Sequence, residues 1–428
     1  MNRVGILAGG GRLPLMVAES VTAHGGVVHI VGIEGEADPA IAGFPHTWVN
    51  WGEIGRMIAA LRREGGGQVV IAGAVTRPDL TRVRPDAGLL RNLPLIARLL
   101  AGGDDAVLTR VVRFLEDNGL QVHGVHEVAP DLLVGSGPLG ANTLGTLDCV
   151  DAELGFAVRQ ALGAVDAGQA VVVVRGRVLA IEGAEGTDAM LQRAAELASG
   201  GGQSGPAGVL TKGPKPGQEM RVDMPVVGPR TVAQAAAAGL AGVAVEAAAV
   251  LVLDRPEAIG VADARGLAVQ GFPALPCGAS RARAAPQPVR TARVLGRVRP
   301  RRRDVVDIET GLAGVWALAP FATGFGAVVL RRYILAIEAA EGTQAMLTRA
   351  AALRRQWGLR RRKAGVLVRR VPGAAGDRDA IEAVLAQTAS MEAAGLAVTG
   401  PADALAPYEE AAWLADRHGL FLVLCEAP

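Results

Sequence analysis

Aromatic residues are scarce: seven Phe, five Trp and two Tyr make up 3% of the 428 residues. Half the chain is hydrophobic, so its core must be built from Ala, Val, Leu and Ile. Cysteine is nearly absent. Cys149, Cys277 and Cys425 lie far apart, which excludes a disulfide framework and a paired-thiolate metal site and points to a reducing compartment. Strong charge of one sign is also missing. A net charge of +2 excludes nucleic-acid binding by bulk basicity. The N-terminal stretch is not expected to be a secretory leader, because its apolar run is short and breaks at Gly9-Gly10-Gly11. The best transmembrane candidate, Thr231 to Leu253, is mostly alanine and holds Gln234, Gly239, Gly242 and Glu246. We read it as helix, turn, helix and strand in a folded core. Gly-x-Ser-x-Gly, His-Glu-x-x-His, Walker-type and Cys-x-x-Cys patterns are all absent, so those enzyme classes lose their main support.

What is present first is an alternation of strand and helix signals. Arg3 to Ala8, Val27 to Ile33 and Val69 to Ala72 read as buried strands. Helices are expected from about Leu13, over Gly55 to Glu64 and over Asp104 to Asn118, the last capped by Gly119. Such an order predicts an α/β fold: a Rossmann-like parallel-sheet domain over residues 1–135. A second α/β domain is expected over 138–272. Residues 273–303 carry nine arginines and no acidic residue, and read as an Arg/Pro-rich linker. A solvated connector and a surface for anionic headgroups or phosphates are both open readings of it.

The second domain is duplicated. LAIEGAEGTDAMLQRAAEL (179–197) recurs as LAIEAAEGTQAMLTRAAAL (335–353), identical at 15 of 19 positions at an offset of 156. The same offset takes Asp151 to Asp307, Gly155 to Gly311, Asp223 to Asp379 and Gly239 to Gly395. Residues 304–428 are therefore expected to be a second copy, a domain-sized duplication and not a solenoid.

Three places could carry chemistry. Gly9-Gly10-Gly11, between a strand and a helix, could bring backbone N–H groups to a phosphate or form a plain tight turn. Glu182, Glu185 and Asp188 cluster around Gly186-Thr187. They read either as a helix cap with early acids or as a carboxylate group for a divalent ion. The loop from Lys212 to Asp223 holds Lys215 and Arg221 as well. Two of the chain's three lysines sit there, in a chain with 41 arginines, which suggests a need for compact charge. Lysines and an arginine can neutralise phosphates, and Asp223 can hold a metal or orient water.

Several segments taken together resemble the LpxI family of UDP-2,3-diacylglucosamine pyrophosphatases. They are LAGGGRLP, TRPDL (76–80), GDDAVLTRVVRFLEDNG, GVHEV, DAGQAVVV, LAIEGAEGTDAML and KGPKPGQEMRVDMPVVGPRTV, spanning residues 1 to about 272 in family order. The resemblance implies hydrolysis of UDP-2,3-diacylglucosamine in lipid A biosynthesis by water attack at the α-phosphate. UMP and 2,3-diacylglucosamine 1-phosphate (lipid X) would be released with a divalent cation, usually Mg²⁺. It implies a cytoplasmic enzyme, peripheral to the inner membrane, with its site between two domains. Asp223 matches the family's catalytic aspartate, as metal ligand or base. Lys212, Lys215, Arg221, Thr187 and Gly9 to Gly11 are expected on the substrate, and Asp188 and Glu185 beside Asp223 as metal ligands. The second copy departs from the pattern: Gln344 replaces Asp188, Arg369 replaces Lys212, and RRVPGAAGDRD replaces the lysine loop. It is expected to be silent, with a homodimer or an internal pseudo-dimer as possible assemblies. Two rivals remain: a nucleotide-dependent oxidoreductase with Glu34 or Glu36 on a ribose, and a non-catalytic sugar-nucleotide binding or scaffold protein.

Overall fold

The computed structural model describes residues 3–75, 86–87, 104–165, 167–199, 205–274, 292–357, 363–373 and 378–427. The TRPDL motif at 76–80 lies outside them. The chain divides into two compact units. The first comprises Met1–Leu139, Gly217–Arg230 and Glu246–Val261; the second comprises Gly140–Pro216, Thr231–Val245 and Ala262–Pro428.

In the first unit, β1 (Arg3–Ala8), β2 (Val27–Ile33), β3 (His46–Val49), β4 (Gln68–Ala72) and β5 (Gln121–His123) form one sheet. Its order is β3-β2-β1-β4-β5, and every neighbouring pair is parallel. Helices α1 (Leu13–Ala23), α2 (Ile54–Arg63) and α3 (Asp104–Asp117) connect the strands. The strands read as continuous apolar runs because both faces are covered. One face packs Ile6, Ile30 and Val70 against Leu15 and Val17. The other packs Leu7, Val31 and Val69 against Leu61, Val112 and Leu115. The order reverses at β1, and α/β sheets place ligands at the carboxyl edge of such a reversal.

The second unit holds the second copy of the duplicated domain and most of the first, whose residues 217–230 and 246–261 belong to the first unit. In the first copy, β6 (Ala170–Val174) and β7 (Arg177–Ile181) form a hairpin. β8 (Val209–Lys212), β9 (Gly242–Glu246) and β10 (Ala268–Phe272) continue the sheet in the order β10-β9-β8-β6-β7. α4 (Thr146–Leu162), α5 (Gly186–Ser199), α6 (Pro229–Ala237) and α7 (Arg255–Ala264) accompany them. The region read as a transmembrane alternative is thus helix, turn and strand. Its second half is sheet because Gly242 to Val245 pair in parallel with Val209 to Lys212.

The second copy begins with β11 (Ala292–Leu295), which pairs antiparallel with β16 (Phe421–Glu426). Between them come α8 (Arg302–Ala317), β12 (Gly326–Leu330), β13 (Tyr333–Ile337), α9 (Gly342–Gln356), β14 (Val366–Arg370), α10 (Arg378–Ser390), β15 (Gly395–Gly400), α11 (Ala402–Glu410) and α12 (Ala412–His418). Strand and helix starting at 292 and 302 correct the reading of 292–303 as connector; residues 275–291 lie outside the described set. Val209 is level with Gly242 in the first copy, and Val366 with Gly395 in the second. The structural mate of Gly395 is therefore Gly242, not Gly239.

The two copies share one core. Val158, Leu162 and Val165 of the first pack in a single cluster with Ile308, Leu312 and Val315 of the second. Each copy also brings one helix close to its sheet at a glycine. A Cβ on Gly155 would lie 2.5 Å from Thr211, and one on Gly311 2.4 Å from Val368.

Candidate functional site

The Gly9-Gly10-Gly11 turn joins β1 to α1. Gly10 N–H donates to the Ala74 carbonyl at 2.6 Å, and Ala74 N–H returns a bond to Gly10 at 3.0 Å. A Cβ on Gly9 would come within 2.4 Å of the Ala74 oxygen. Gly9 and Gly10 are therefore glycines because the β4 loop lies against them. Gly11 differs: its φ is +86°, and nothing lies within 4 Å of where its Cβ would be. It borders a cavity of about 600 Å³ with Glu34, Glu36, Asp38 and Trp48 in its walls. Three carboxylates make this cavity a poor home for a phosphate and a good one for hydroxyl donors stacked near an indole.

Asp223 also belongs to the first unit. Its neighbours Val222 and Met224 are anchored on opposite faces of the sheet, Val222 beside Val122 and Met224 beside Val125. That straddle holds Asp223 at the end of β5. Its carboxylate accepts a hydrogen bond from the Gln218 amide, and it is half-buried. Arg221, two residues earlier, is already matched. Its guanidinium donates to both oxygens of Glu219 at 2.8 Å and to Glu116 at 2.7 Å. Those hydrogen bonds hold Arg221 more firmly protonated and push the Glu219 carboxyl below its ordinary range. Two carboxylates meet the charge that was expected on a phosphate, so Arg221 orders the loop around Asp223.

The second unit brings Thr187 and Lys212 together. Lys212 is 8% exposed at the end of β8, and its Nζ donates to Thr187 Oγ1 at 3.1 Å. Thr187 Oγ1 donates in turn to Glu182 at 2.7 Å, and the other oxygen of Glu182 accepts Gln169 N–H at 2.7 Å. A buried ammonium thus sits at the end of a carboxylate–hydroxyl relay that fixes its position. Lys215 stands three residues on, half-buried, in the loop that follows. Asp188 lies in the first turn of α5.

Glu185 does something not expected of it. Its carboxylate accepts from Arg193 at 2.7 Å and from Arg349 of the second copy at 2.8 Å. Two guanidiniums share its charge, one from each copy. Among the described residues no three His, Cys, Asp or Glu side chains gather to hold a metal ion by themselves.

Comparison with known proteins accounts for the whole pattern. The LpxI N-terminal domain model matches residues 3–132, and the LpxI C-terminal domain model matches twice, at 135–270 and 291–423. The chain belongs to the LpxI family. A relative from Caulobacter vibrioides, named UDP-2,3-diacylglucosamine pyrophosphatase LpxI, is 41% identical over 273 residues, 63% of this chain and 98% of that protein. Within this LpxI-family chain, the Asp223 loop belongs to one compact unit and the Thr187–Lys212 pair to the other. The sequence reading places Glu182 among carboxylates for a helix cap or a divalent ion; in the structure its backbone-tethered carboxylate carries the relay to Thr187 and Lys212.

Proposed function

We propose that this chain hydrolyses the pyrophosphate bond of UDP-2,3-diacylglucosamine by water attack at the α-phosphate, releasing UMP and 2,3-diacylglucosamine 1-phosphate. The observation that carries it is the identity of 41% across nearly all of a relative bearing that activity in its name. Asp223 and the buried Lys212–Thr187 pair supply the chemistry that the reaction needs. In this reading Lys212 and Lys215 stabilise charge on the phosphate oxygens, which is most of what phosphoryl-transfer catalysis requires. Asp223 orients the attacking water or takes its proton, with Gln218 holding the carboxylate. The cavity beside Gly11 suits the ribose hydroxyls.

Metal dependence is part of the proposal. A magnesium-type ion is commonly held by one or two carboxylates and completes its shell with substrate phosphates and water. Asp223 fits that mode and would hold it; Glu185, engaged by two arginines, would not. The ion would neutralise charge on the phosphates. We also place the chain at the inner-membrane surface, because its substrate is lipid-linked. Among the described residues no helix is long and apolar enough to cross a membrane. The comparisons lend no support to an oxidoreductase or a silent scaffold.

UMP release from UDP-2,3-diacylglucosamine tests the reading. Turnover is expected with Mg²⁺, loss with EDTA, and recovery when Mg²⁺ is returned in excess. Absence of UMP under all conditions would end the proposal. Turnover indifferent to chelator would remove only the cation.

A further inference from the structure

The polar contacts between the two copies come in pairs. Ala184 N–H donates to the Leu335 carbonyl at 3.0 Å, and Ala340 N–H donates to the Leu179 carbonyl at 3.3 Å. Ala340 is Ala184 moved by 156 residues, and Leu335 is Leu179 moved by the same number. The ion pairs obey the same rule. Glu185 meets Arg349 at 2.8 Å, and Glu341 meets Arg193 at 3.8 Å, while each glutamate also holds the arginine of its own copy. Glu341 and Arg349 are Glu185 and Arg193 of the repeat. All four side chains are at most 13% exposed.

Two duplicated domains joined in one chain could touch anywhere. Only an isologous interface, with the same patch on both sides about a two-fold axis, makes every contact appear with its mirror partner. A patch that pairs with its own duplicate has the chemistry to pair with itself. We infer that this face is a dimerisation surface of the domain, that the second copy occupies it permanently, and that the chain is in consequence an internal dimer and a monomer in solution. The partner that the face fits is another copy of the same domain. Apolar burial around Leu162 and Leu312 supplies the adhesion. The four charges, being buried and mutually paired, set the register more than they add stability. The interface also reaches the site, because Glu185 lies two residues from Thr187 and three from Glu182.

The test reads mass and does not depend on which substrate the site takes. A specific protease site is placed in the full-length chain between residues 280 and 290, and the intact and cleaved proteins are compared by light scattering after gel filtration. The intact chain is expected at the mass of one copy, and the two pieces are expected to co-elute after cleavage. Arg193→Glu with Arg349→Glu should leave four like charges in the interface and abolish co-elution. Reversing all four residues, with Glu185→Arg and Glu341→Arg added, should restore it, which separates lost pairing from lost folding. Separation of the pieces in the cleaved parent would overturn the inference. So would a folded four-fold reversal whose pieces part, or an intact chain that runs as a dimer and falls to a monomer on the arginine reversals.

Discussion

In the first copy Asp151 accepts the N–H groups of Arg175 and Gly176 at 2.7 and 2.6 Å; in the second, Asp307 accepts those of Arg331 and Arg332 at 3.1 and 2.6 Å. Thr187 donates to Glu182, and Thr343 donates to Glu338 at 3.0 Å. These matching bonds hold the hairpin turn to the first helix and the second helix to the sheet. They survive in a copy that has lost the lysine loop, so the fold uses them whatever chemistry Lys212 adds in the first copy. Lys212 is where the copies part. Arg369 takes its place and donates to the Tyr408 hydroxyl, and Tyr408 is 2% exposed in the second copy's own core. The first copy sends residues 217–230 and 246–261 into the other compact unit; the second fills the corresponding stretch with α11 and keeps it at home. A duplicated domain is free to lose chemistry from one copy, and the bonds that both copies keep point to architecture.

The largest test of that division sets Asp223 against Asp379. Asp223→Ala is expected to lower kcat by about 10²- to 10⁴-fold, the usual worth of a general acid or base, with thermal unfolding unchanged. Asp379→Ala should leave UMP release within twofold, because Asp379 stands in the first turn of a helix in the second copy. Equal losses from both substitutions would show that the second copy is active.

Lys212 and Arg369 come next. Lys212→Met keeps the stem and removes the ammonium, and is expected to lower kcat by about 10²-fold, the scale of one lost electrostatic donor. Arg369→Met should leave kcat alone and lower the melting temperature. If Lys212→Met changes stability and not turnover, the relay is scaffold in both copies.

Much of this was open to sequence reading, for definite reasons. The strands of the first unit are buried on both faces, so Arg3–Ala8 and Val27–Ile33 stand out as apolar runs with the bounds observed. The repeat shows because the interface and scaffold residues lie within one string. The failures have a common cause in distance along the chain. Residues 242–246 look helical beside so many alanines and become a strand only because Val209–Lys212 lies next to them. Residues 292–295 look like linker and become an edge strand only when Phe421–Glu426 arrives to pair with them. Glu185 read as a metal ligand because one of its two arginine partners, Arg349, is 164 residues away. Asp379 aligned with Asp223 by offset alone, yet one heads a helix and the other ends a loop.

Glu338 and Arg332 offer finer tests. Burial raises the Glu338 carboxyl above its ordinary 4.5, with the Thr343 hydroxyl opposing. The native state therefore holds this proton more tightly than the unfolded chain. The cost of the buried charge is absent below about pH 4.5 and complete above the raised native value. Glu338→Gln is accordingly expected to raise the melting temperature at pH 7, by an amount that shrinks as the pH falls through the acidic range. A gain that is constant with pH would point to packing and not to charge.

The smallest expected effect lies in the hairpin turns. Both use two residues with positive φ, as two-residue turns of this type require. The first copy has Arg175 and Gly176 at +51° and +74°; the second has Arg331 and Arg332 at +54° and +68°. Glycine adopts this conformation freely, whereas an arginine is strained there by about 1 kcal/mol. Arg332→Gly should therefore stabilise the second copy by about that amount, and Gly176→Arg should destabilise the first by as much. Chemical denaturation reads both. Because the copies share one core, the two changes should act on a single unfolding transition and cancel when combined; two separate transitions would show that the copies fold apart.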